Sequence, residues 1–175
     1  MDRTPDAARI VPAARSHAPG ALEIYNESIA TSIASFYTTP RPLAEMEATL
    51  LPPSGHPVYV AVDDRDRVLG FANSKQWSPR QAYERTVEVS IYLAEDAQGR
   101  GLGKALYKKL FADLRDRGYA SIIAGVSLPN EASVRLHEGM GMRAVGVFKG
   151  VGEKFGKIID VGYWQLELKE PSTID

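Results

Sequence analysis

Short apolar or alternating segments and segments of helical periodicity follow one another along most of this chain. Seven have the pattern of strands: 8–13, 58–62, 68–77, 86–93, 122–126, 142–148 and 158–168. Four have the spacing of helices: 17–30 after an N-cap at Ser16, 42–51, 102–117 and 130–138. The order β-α-α-β-β-β-α-β-α-β-β predicts an α/β (α+β) fold, with a mixed central sheet of about seven strands and helices on both faces.

Two segments have the strongest periodicity. The strand at 86–93 alternates, so that Glu88, Ser90 and Tyr92 share one face and apolar residues occupy the other. The helix at 102–117 carries a leucine at every fourth position, and these leucines form one stripe. Both segments are therefore expected to bury one face in a core.

Length, charge and composition restrict the function. A chain of 175 residues predicts a single domain, 1–175, and a net charge of −1 gives no general reason to bind nucleic acid or a membrane. The absence of cysteine excludes disulfides and thiolate chemistry, and the three histidines lack metal-ligand spacing, so no metal is expected. Without an apolar signal segment or a long apolar run, a cytoplasmic protein is expected.

The segment Gln98–Lys104 has three glycines at alternate positions between a predicted strand and a predicted helix. Glycines permit a tight turn and close approach of a ligand, while a helix start offers unpaired N–H groups and a positive dipole end. This pattern predicts a cradle for a phosphate or pyrophosphate, to which Arg100 and Lys104 add charge. The alternative is a strand-to-helix turn without a ligand.

The glycine spacing distinguishes between known phosphate loops. A Walker A loop is excluded because positions 98 and 105 are Gln and Ala. The dinucleotide pattern G-x-G-x-x-G is excluded because positions 104 and 106 are Lys and Leu. The segment fits Q-x-x-G-x-G with Gln98, Gly101 and Gly103, and so resembles the acetyl-CoA pyrophosphate loop of the GNAT superfamily of N-acetyltransferases.

Further blocks extend this resemblance from about residue 9 to residue 168. They are similar to the phosphinothricin and methionine sulfoximine N-acetyltransferase branch of the superfamily: Ile24–Glu27, Thr86–Leu93, Leu128–Glu138 and Asp160–Gln165. The resemblance implies the GNAT fold with a mostly antiparallel sheet, direct transfer of an acetyl group from acetyl-CoA to an amine, and a homodimer. The chain departs from this branch at Glu153 and Ile158, where relatives usually carry Tyr and Trp.

Site residues follow by matching positions to the family pattern. The resemblance implies cofactor-binding residues at Ile91, Tyr92, Leu93, Gly99, Arg100, Gly101, Leu102, Gly103, Lys104 and Asn130. The resemblance also implies acceptor contacts at Ser78, Arg80, Glu88, Val89 and Ser90. The sequence itself adds Tyr83, in the loop before the Glu88 strand, and Phe36, as an aromatic wall of the pocket or an ordinary packing residue. The resemblance places Glu88 and His137 at the chemistry.

The reaction needs proton transfers, because an amine must be neutral before it attacks a thioester. Glu88 is the candidate base, acting directly or through a water, and its ordinary alternative is a salt-bridged strand residue. His137 is a candidate general acid, or a base oriented by Glu88, or a core histidine bonded to a backbone carbonyl. Asn130 is also a candidate N-cap, and Tyr107 is assigned to helix packing alone.

The acceptor is expected to be a small amino acid or analogue: phosphinothricin, methionine sulfoximine or methionine sulfone. Arg80 is the candidate partner of its carboxylate, with Arg85 and Lys75 as alternatives. Two other functions stay open, a GNAT enzyme for another small amine such as a polyamine, and a non-catalytic acetyl-CoA-binding sensor. The cations before Glu88 favour an anionic acceptor, and the presence of Glu88 and His137 favours an enzyme.

Overall fold

A single seven-stranded sheet organises residues 8–168, which are the residues that this computed structural model describes. The strands are β1 (Arg9–Pro12), β2 (Val58–Val62), β3 (Val68–Gln76), β4 (Thr86–Leu93), β5 (Ser121–Leu128), β6 (Arg143–Lys154) and β7 (Lys157–Glu167). The helices are α1 (Ala18–Thr31), α2 (Leu43–Leu50), α3 (Leu102–Asp116) and α4 (Glu131–Gly139). The strand order is β1-β2-β3-β4-β5-β7-β6, which confirms the predicted element order and sheet.

The centre of the sheet opens between two neighbouring strands. β4 and β5 run parallel and pair only where Thr86–Glu88 meets Ser121–Ile123. Beyond Glu88, β4 continues along β3, and β5 continues along β7, each in antiparallel pairing. The carboxyl-terminal halves of β4 and β5 therefore diverge, and the backbone groups of β4 that face β5 have no strand partner there.

Helices cover both faces of the sheet, as predicted. The leucine stripe of α3 is buried against the apolar face of β4, in one core cluster with Val87 and Val89. The other core cluster joins α1 and α2 to the opposite face, where Tyr92 packs at its border. The alternation of β4 therefore places Glu88 and Ser90 on the α1 side of the sheet.

Three details differ from the sequence predictions. The N-cap prediction at Ser16 was wrong, because Ser16 lies within a short 3-10 turn and α1 begins at Ala18. β5 is longer at both ends than the predicted 122–126. β6 continues past the predicted end at Phe148 to Lys154, and a turn at 155–156 joins it to β7. Within residues 8–168, no helix has both the length and the apolar composition needed to cross a membrane.

Candidate active site

A cleft of about 880 Å³ opens where β4 and β5 diverge. Its walls are the ends of both strands, the glycine loop with the start of α3, the start of α4, and one side of α1. It is lined by all but one of the candidate cofactor-binding residues: Ile91, Tyr92, Leu93, Gly99, Gly101, Leu102, Gly103, Lys104 and Asn130. Arg100 lies exposed between two of them. The fold thus brings together candidate cofactor-binding residues that are up to 39 positions apart in the chain.

The three glycines of the loop serve two purposes. Gly99 and Gly101 have positive φ angles of 71° and 78°, and a Cβ at either position would meet nothing within 4 Å. The space beside them is open to a ligand. Gly103 is different, because its Cβ would lie 3.1 Å from the Leu136 side chain, so this glycine lets α3 pack closely against α4.

The start of α3 has the properties of an anion site. The Ala105 N–H donates to the carbonyl of Gly101, the N-cap, so the N–H groups of the three preceding helical residues have no intrahelical acceptor. These groups open into the cleft, with the positive end of the helix dipole behind them. Lys104 and Arg135 also line the cleft and bring positive charge to it, although Arg135 pairs with Glu131 at 3.2 Å. Arg135 was not among the sequence candidates.

Asn130 caps α4. Its Oδ1 accepts a hydrogen bond from the Ser133 N–H at 3.1 Å, which confirms the N-cap interpretation. Asn130 also lines the cleft, so the residue that caps α4 borders the space available to a ligand.

His137 is buried at the cleft wall, with only 3% of its surface exposed. Its Nδ1 lies 2.7 Å from the Ser133 carbonyl oxygen, which can only accept, so Nδ1 carries the hydrogen. Its Nε2 lies 3.0 Å from the Tyr107 hydroxyl and therefore accepts from it. Burial lowers the pKa of His137 below its ordinary value, which favours the neutral imidazole near pH 7.

Tyr107 is the residue that sequence reasoning missed. It is fully buried on α3, stacks on Phe111 at 4.8 Å, and presents its hydroxyl to His137 at the cleft wall. Burial raises the pKa of this phenol, so it keeps its proton at neutral pH. The available signal was a hydroxyl among the apolar positions of the buried face of α3, since a buried hydroxyl needs a partner.

Glu88 lies on the α1 face of β4 and is 24% exposed at its side chain. Its Oε2 is 3.0 Å from Nζ of Lys75, which is its cross-strand neighbour on β3. Among residues 8–168, no hydrogen bond joins Glu88 to His137, and the two side chains approach β4 from opposite faces. The structure therefore shows an ion-paired carboxylate and, separately, a tyrosine–histidine pair.

Two of the candidate acceptor residues line the cleft, and the others lie outside its lining. Val89 and Ser90 line the cleft itself. Ser78, Arg80 and Tyr83 lie in the loop between β3 and β4, which Gln76 holds by donating hydrogen bonds to the Tyr83 and Thr86 carbonyls.

The cations near this loop differ in their availability to an acceptor. Arg80 is exposed and makes no ion pair with any described residue. Arg85 instead donates to the Gly118 carbonyl at 3.0 Å, and Lys75 pairs with Glu88. Of the three cations considered for an acceptor carboxylate, Arg80 is the one without a partner within residues 8–168.

The fold and its cleft correspond to those of a known protein family. The model of the acetyltransferase (GNAT) family matches residues 22–142, more than half of the chain. The chain belongs to the GNAT family. The predicted family and fold are therefore confirmed, and the protein is an N-acetyltransferase that uses acetyl-CoA.

Several GNAT proteins are similar to this one over most of their length. The L-methionine sulfoximine/L-methionine sulfone acetyltransferase of Pseudomonas paraeruginosa is 36% identical, over 86% of this chain and 88% of that protein. The phosphinothricin N-acetyltransferase of Streptomyces viridochromogenes is 34% identical, over 93% and 89%. The crystal structure of a phosphinothricin acetyltransferase from Sinorhizobium meliloti in complex with acetyl-CoA has a TM-score of 0.88 and 32% identity, covering 95% of this chain and 94% of that one.

This GNAT enzyme presents further cleft residues that the sequence pattern did not indicate. They come from the end of α1, the loop after it, and the middle of β5: Ser28, Thr31, Ser32, Ala34, Gly125, Val126 and Ser127. Phe36 follows in the same loop and packs against Gly152 of β6. Among residues 8–168, no group of three or more His, Asp or Glu side chains is arranged to hold a metal ion.

Proposed function

We propose that this enzyme transfers the acetyl group of acetyl-CoA to the amino group of a small amino-acid-like acceptor. Phosphinothricin, methionine sulfoximine and methionine sulfone are the candidate acceptors, and the names of the similar proteins support them. The observation that carries the proposal is a carboxylate on β4, Glu88, next to the cleft-lining Val89 and Ser90, with Arg80 in the preceding loop making no ion pair within residues 8–168. An amino acid carries an ammonium, which a carboxylate such as Glu88 binds, and a carboxylate, which a cation such as Arg80 binds.

The cleft supports a specific placement of the co-substrate along it. The N–H groups at the start of α3, with Lys104 and Arg135, would hold the pyrophosphate. The backbone of Ile91–Leu93 that β5 leaves unpaired would hydrogen-bond the amide groups of the pantetheine arm, because free strand edges bind extended amides. Acetyl-CoA supplies the activated acetyl group. The amine nitrogen forms the new bond to its carbonyl carbon as the carbon–sulfur bond breaks, and the second proton of the nitrogen passes to the departing sulfur, which leaves as the CoA thiol.

Glu88 acts as the base in this proposal. Its carboxylate takes the proton of the acceptor ammonium, directly or through a water, and Lys75 holds it in place from β3. Tyr107 acts at the other side of β4. Its hydroxyl turns from His137 toward the cleft and donates a hydrogen bond to the departing sulfur, which gains negative charge.

The test is thiol release from acetyl-CoA in the presence of phosphinothricin, methionine sulfoximine, methionine sulfone, ordinary amino acids and spermidine. Release with the first three and none with spermidine supports the proposal. In the same assay, Glu88→Gln is expected to lower kcat by about 100-fold, because the amine loses its base. Asp116→Asn, which neutralises an exposed carboxylate at the end of α3 outside the cleft lining, is the control.

Other outcomes of this assay favour the other functions. Release with spermidine alone supports an enzyme for another small amine and contradicts the role of Arg80. Tight acetyl-CoA binding without release for any amine supports the sensor function. Equal turnover by the wild type and Glu88→Gln removes Glu88 from the mechanism.

We also propose a homodimer that forms through β6. This strand is at the edge of the sheet, and residues 143–151 are exposed on both of its faces. The exposed apolar side chains of β6, of its turn and of the start of β7 are Val145, Val147, Phe148, Val151, Phe155 and Ile158. An apolar edge strand of this length favours association, and a second copy of the chain would cover it.

A further inference from the structure

Lys154, near the end of β6, is a buried lysine that the proposed mechanism does not use. It is 4% exposed, and no carboxylate pairs with it among residues 8–168. Burial lowers the pKa of its ammonium. Taking an ammonium out of water without a counter-ion is unfavourable, so the groups that it contacts must compensate for the lost hydration.

The two hydrogen-bond acceptors of Lys154 lie on one segment, the loop 32–37 after α1. Nζ of Lys154 donates to the Ser32 carbonyl at 2.8 Å and to the Ser35 carbonyl at 2.7 Å. The Phe155 ring covers the ammonium, with its centroid 5.0 Å from Nζ. The ammonium therefore joins the loop to β6 at two points three residues apart.

Gly152 contacts the same loop. It lies two residues before Lys154 and therefore on the same face of β6. A Cβ at position 152 would overlap the Phe36 ring, so the glycine provides the space in which that ring lies. Gly152, Lys154 and Phe155 are named the β6 clamp below.

The other side of the loop faces the cleft. Ser32 and Ala34 line the cleft together with Ser90 and Tyr92 of β4. The Ser35 hydroxyl lies 3.4 Å from the hydroxyl of Tyr25, whose ring packs edge-on against Tyr92 at 4.7 Å. The loop thus forms the cleft wall on the face of β4 that carries Glu88.

We propose that Lys154 is a positioning residue that sets the affinity for the amino-acid acceptor by holding loop 32–37 against this face of the cleft. The inference rests on the proposed function, since it names a determinant of acceptor binding at the same site. The start of α3 and the backbone of Ile91–Leu93 do not touch the β6 clamp. The pyrophosphate and pantetheine contacts proposed above are therefore expected to persist without Lys154.

The test compares Lys154→Met, which keeps the length of the side chain but removes its donors, with Lys157→Met on the same hairpin. Lys154→Met is expected to raise the acceptor KM by about tenfold or more, because misplacement of a binding loop weakens acceptor binding. Its kcat at saturating acceptor and its Kd for acetyl-CoA, measured by calorimetry without acceptor, stay near the wild-type values. Lys157→Met is expected to change none of these quantities.

A second measurement does not depend on turnover. Amide hydrogen exchange of the peptide covering 32–37 is expected to accelerate in Lys154→Met but not in Lys157→Met. If Lys154→Met does not fold, Gly152→Ala tests the clamp through Phe36, with the same expected rise in KM and in exchange.

The outcomes separate the two proposals. An unchanged acceptor KM with unchanged exchange in loop 32–37 overturns the role of Lys154. Equal losses of acceptor and acetyl-CoA affinity also overturn it, because they indicate a general structural defect. A wild-type enzyme that acetylates none of the amino-acid acceptors contradicts the proposed function, and the exchange measurement then still decides whether Lys154 holds the loop.

Discussion

At the scale of single residues, burial decides what a polar side chain does here. The Tyr107 hydroxyl and the His137 imidazole are buried at the cleft wall, and Tyr107 lies 3.0 Å from Nε2 of His137. Glu88 keeps partial contact with water and pairs with an exposed lysine. The sequence identified His137 and Glu88 as candidates, but their partners come from α3 and β3, so they could not be inferred from neighbours in the chain.

Removal of the Tyr107 hydroxyl tests the role proposed for it. Tyr107→Phe is expected to lower kcat by about 100-fold with little change in the Kd for acetyl-CoA, because one donor to the departing sulfur is lost. It also leaves Nε2 of His137 without a partner, which is expected to lower the free energy of unfolding by about 1–3 kcal/mol. Steady-state kinetics, calorimetry and urea denaturation measure these effects.

Tyr59→Phe is a matched control for that substitution. Tyr59 is also buried and its hydroxyl donates to Asp113 at 2.9 Å, outside the cleft lining. It is expected to lose stability but keep kcat. A similar kcat for Tyr107→Phe and Tyr59→Phe would contradict the proposed role of Tyr107.

The buried His137 also predicts how stability depends on pH. Its folded-state pKa lies below the ordinary value of 6.5, so the unfolded chain binds a proton more readily between those two values. The stability that neutral His137 contributes is thus present above pH 6.5 and is lost as the pH falls, at up to about 1.4 kcal/mol per pH unit. The free energy of unfolding of the wild type is expected to fall more steeply on acidification than that of His137→Gln.

Urea denaturation between about pH 7.5 and pH 5 measures this difference. His56, whose pKa burial also lowers, is present in both proteins and cancels in the comparison. Parallel pH profiles of the two proteins would show that His137 does not lose its proton preferentially on folding.

At the scale of elements, the site depends on a strand pair that separates and on the helix start beside it. The divergence of β4 and β5 exposes one edge of β4, and the glycine loop carries the chain directly into α3 at the same end. The sequence predicted the loop and the helix because glycine spacing and the leucine stripe are local patterns. It did not predict the end of β6, since glycines and charges at 149–154 interrupt the apolar pattern of that strand.

The glycine loop gives a prediction with a matched control. Gly101→Ala places a Cβ in the open space beside the start of α3 and is expected to weaken acetyl-CoA binding by at least about tenfold. Gly55→Ala introduces similar backbone strain, since Gly55 also has a positive φ of 71° with nothing within 4 Å, but it lies outside the cleft lining.

Calorimetry with acetyl-CoA and thermal denaturation distinguish the two effects. Both variants are expected to lose about 1 kcal/mol of stability, because L-residues are strained at positive φ. Only Gly101→Ala is expected to lose affinity. Normal affinity in that variant would contradict the anion site at the start of α3.

At the scale of the whole molecule, β6 has a long exposed stretch at the edge of the sheet. Residues 143–151 of β6 are all exposed, although many of them are apolar. The same hairpin holds loop 32–37 through Lys154 and Gly152 on its inner side. Association through β6 would therefore lie next to the proposed acceptor wall.

The proposed homodimer is tested by a charge on this surface. Ile158→Glu, at a side chain that is 69% exposed, is expected to shift the protein from dimer to monomer, because an interface does not accommodate an unpaired charge. Leu43→Glu on α2, which is 43% exposed and away from the hairpin, is expected to leave the mass unchanged. Size-exclusion chromatography with light scattering measures both. A monomeric wild type would exclude the dimer.

The sequence by itself determined the order of elements, the mixed sheet, the glycine loop and the family. These depend on period, on turn residues and on motif spacing, which are local along the chain. Only the tertiary structure decided which groups meet: Tyr107 with His137, Lys75 with Glu88, and Lys154 with loop 32–37, the last across more than 100 residues. Such pairings follow from strand register and helix packing, and no local pattern encodes the distance between two side chains that the fold brings together.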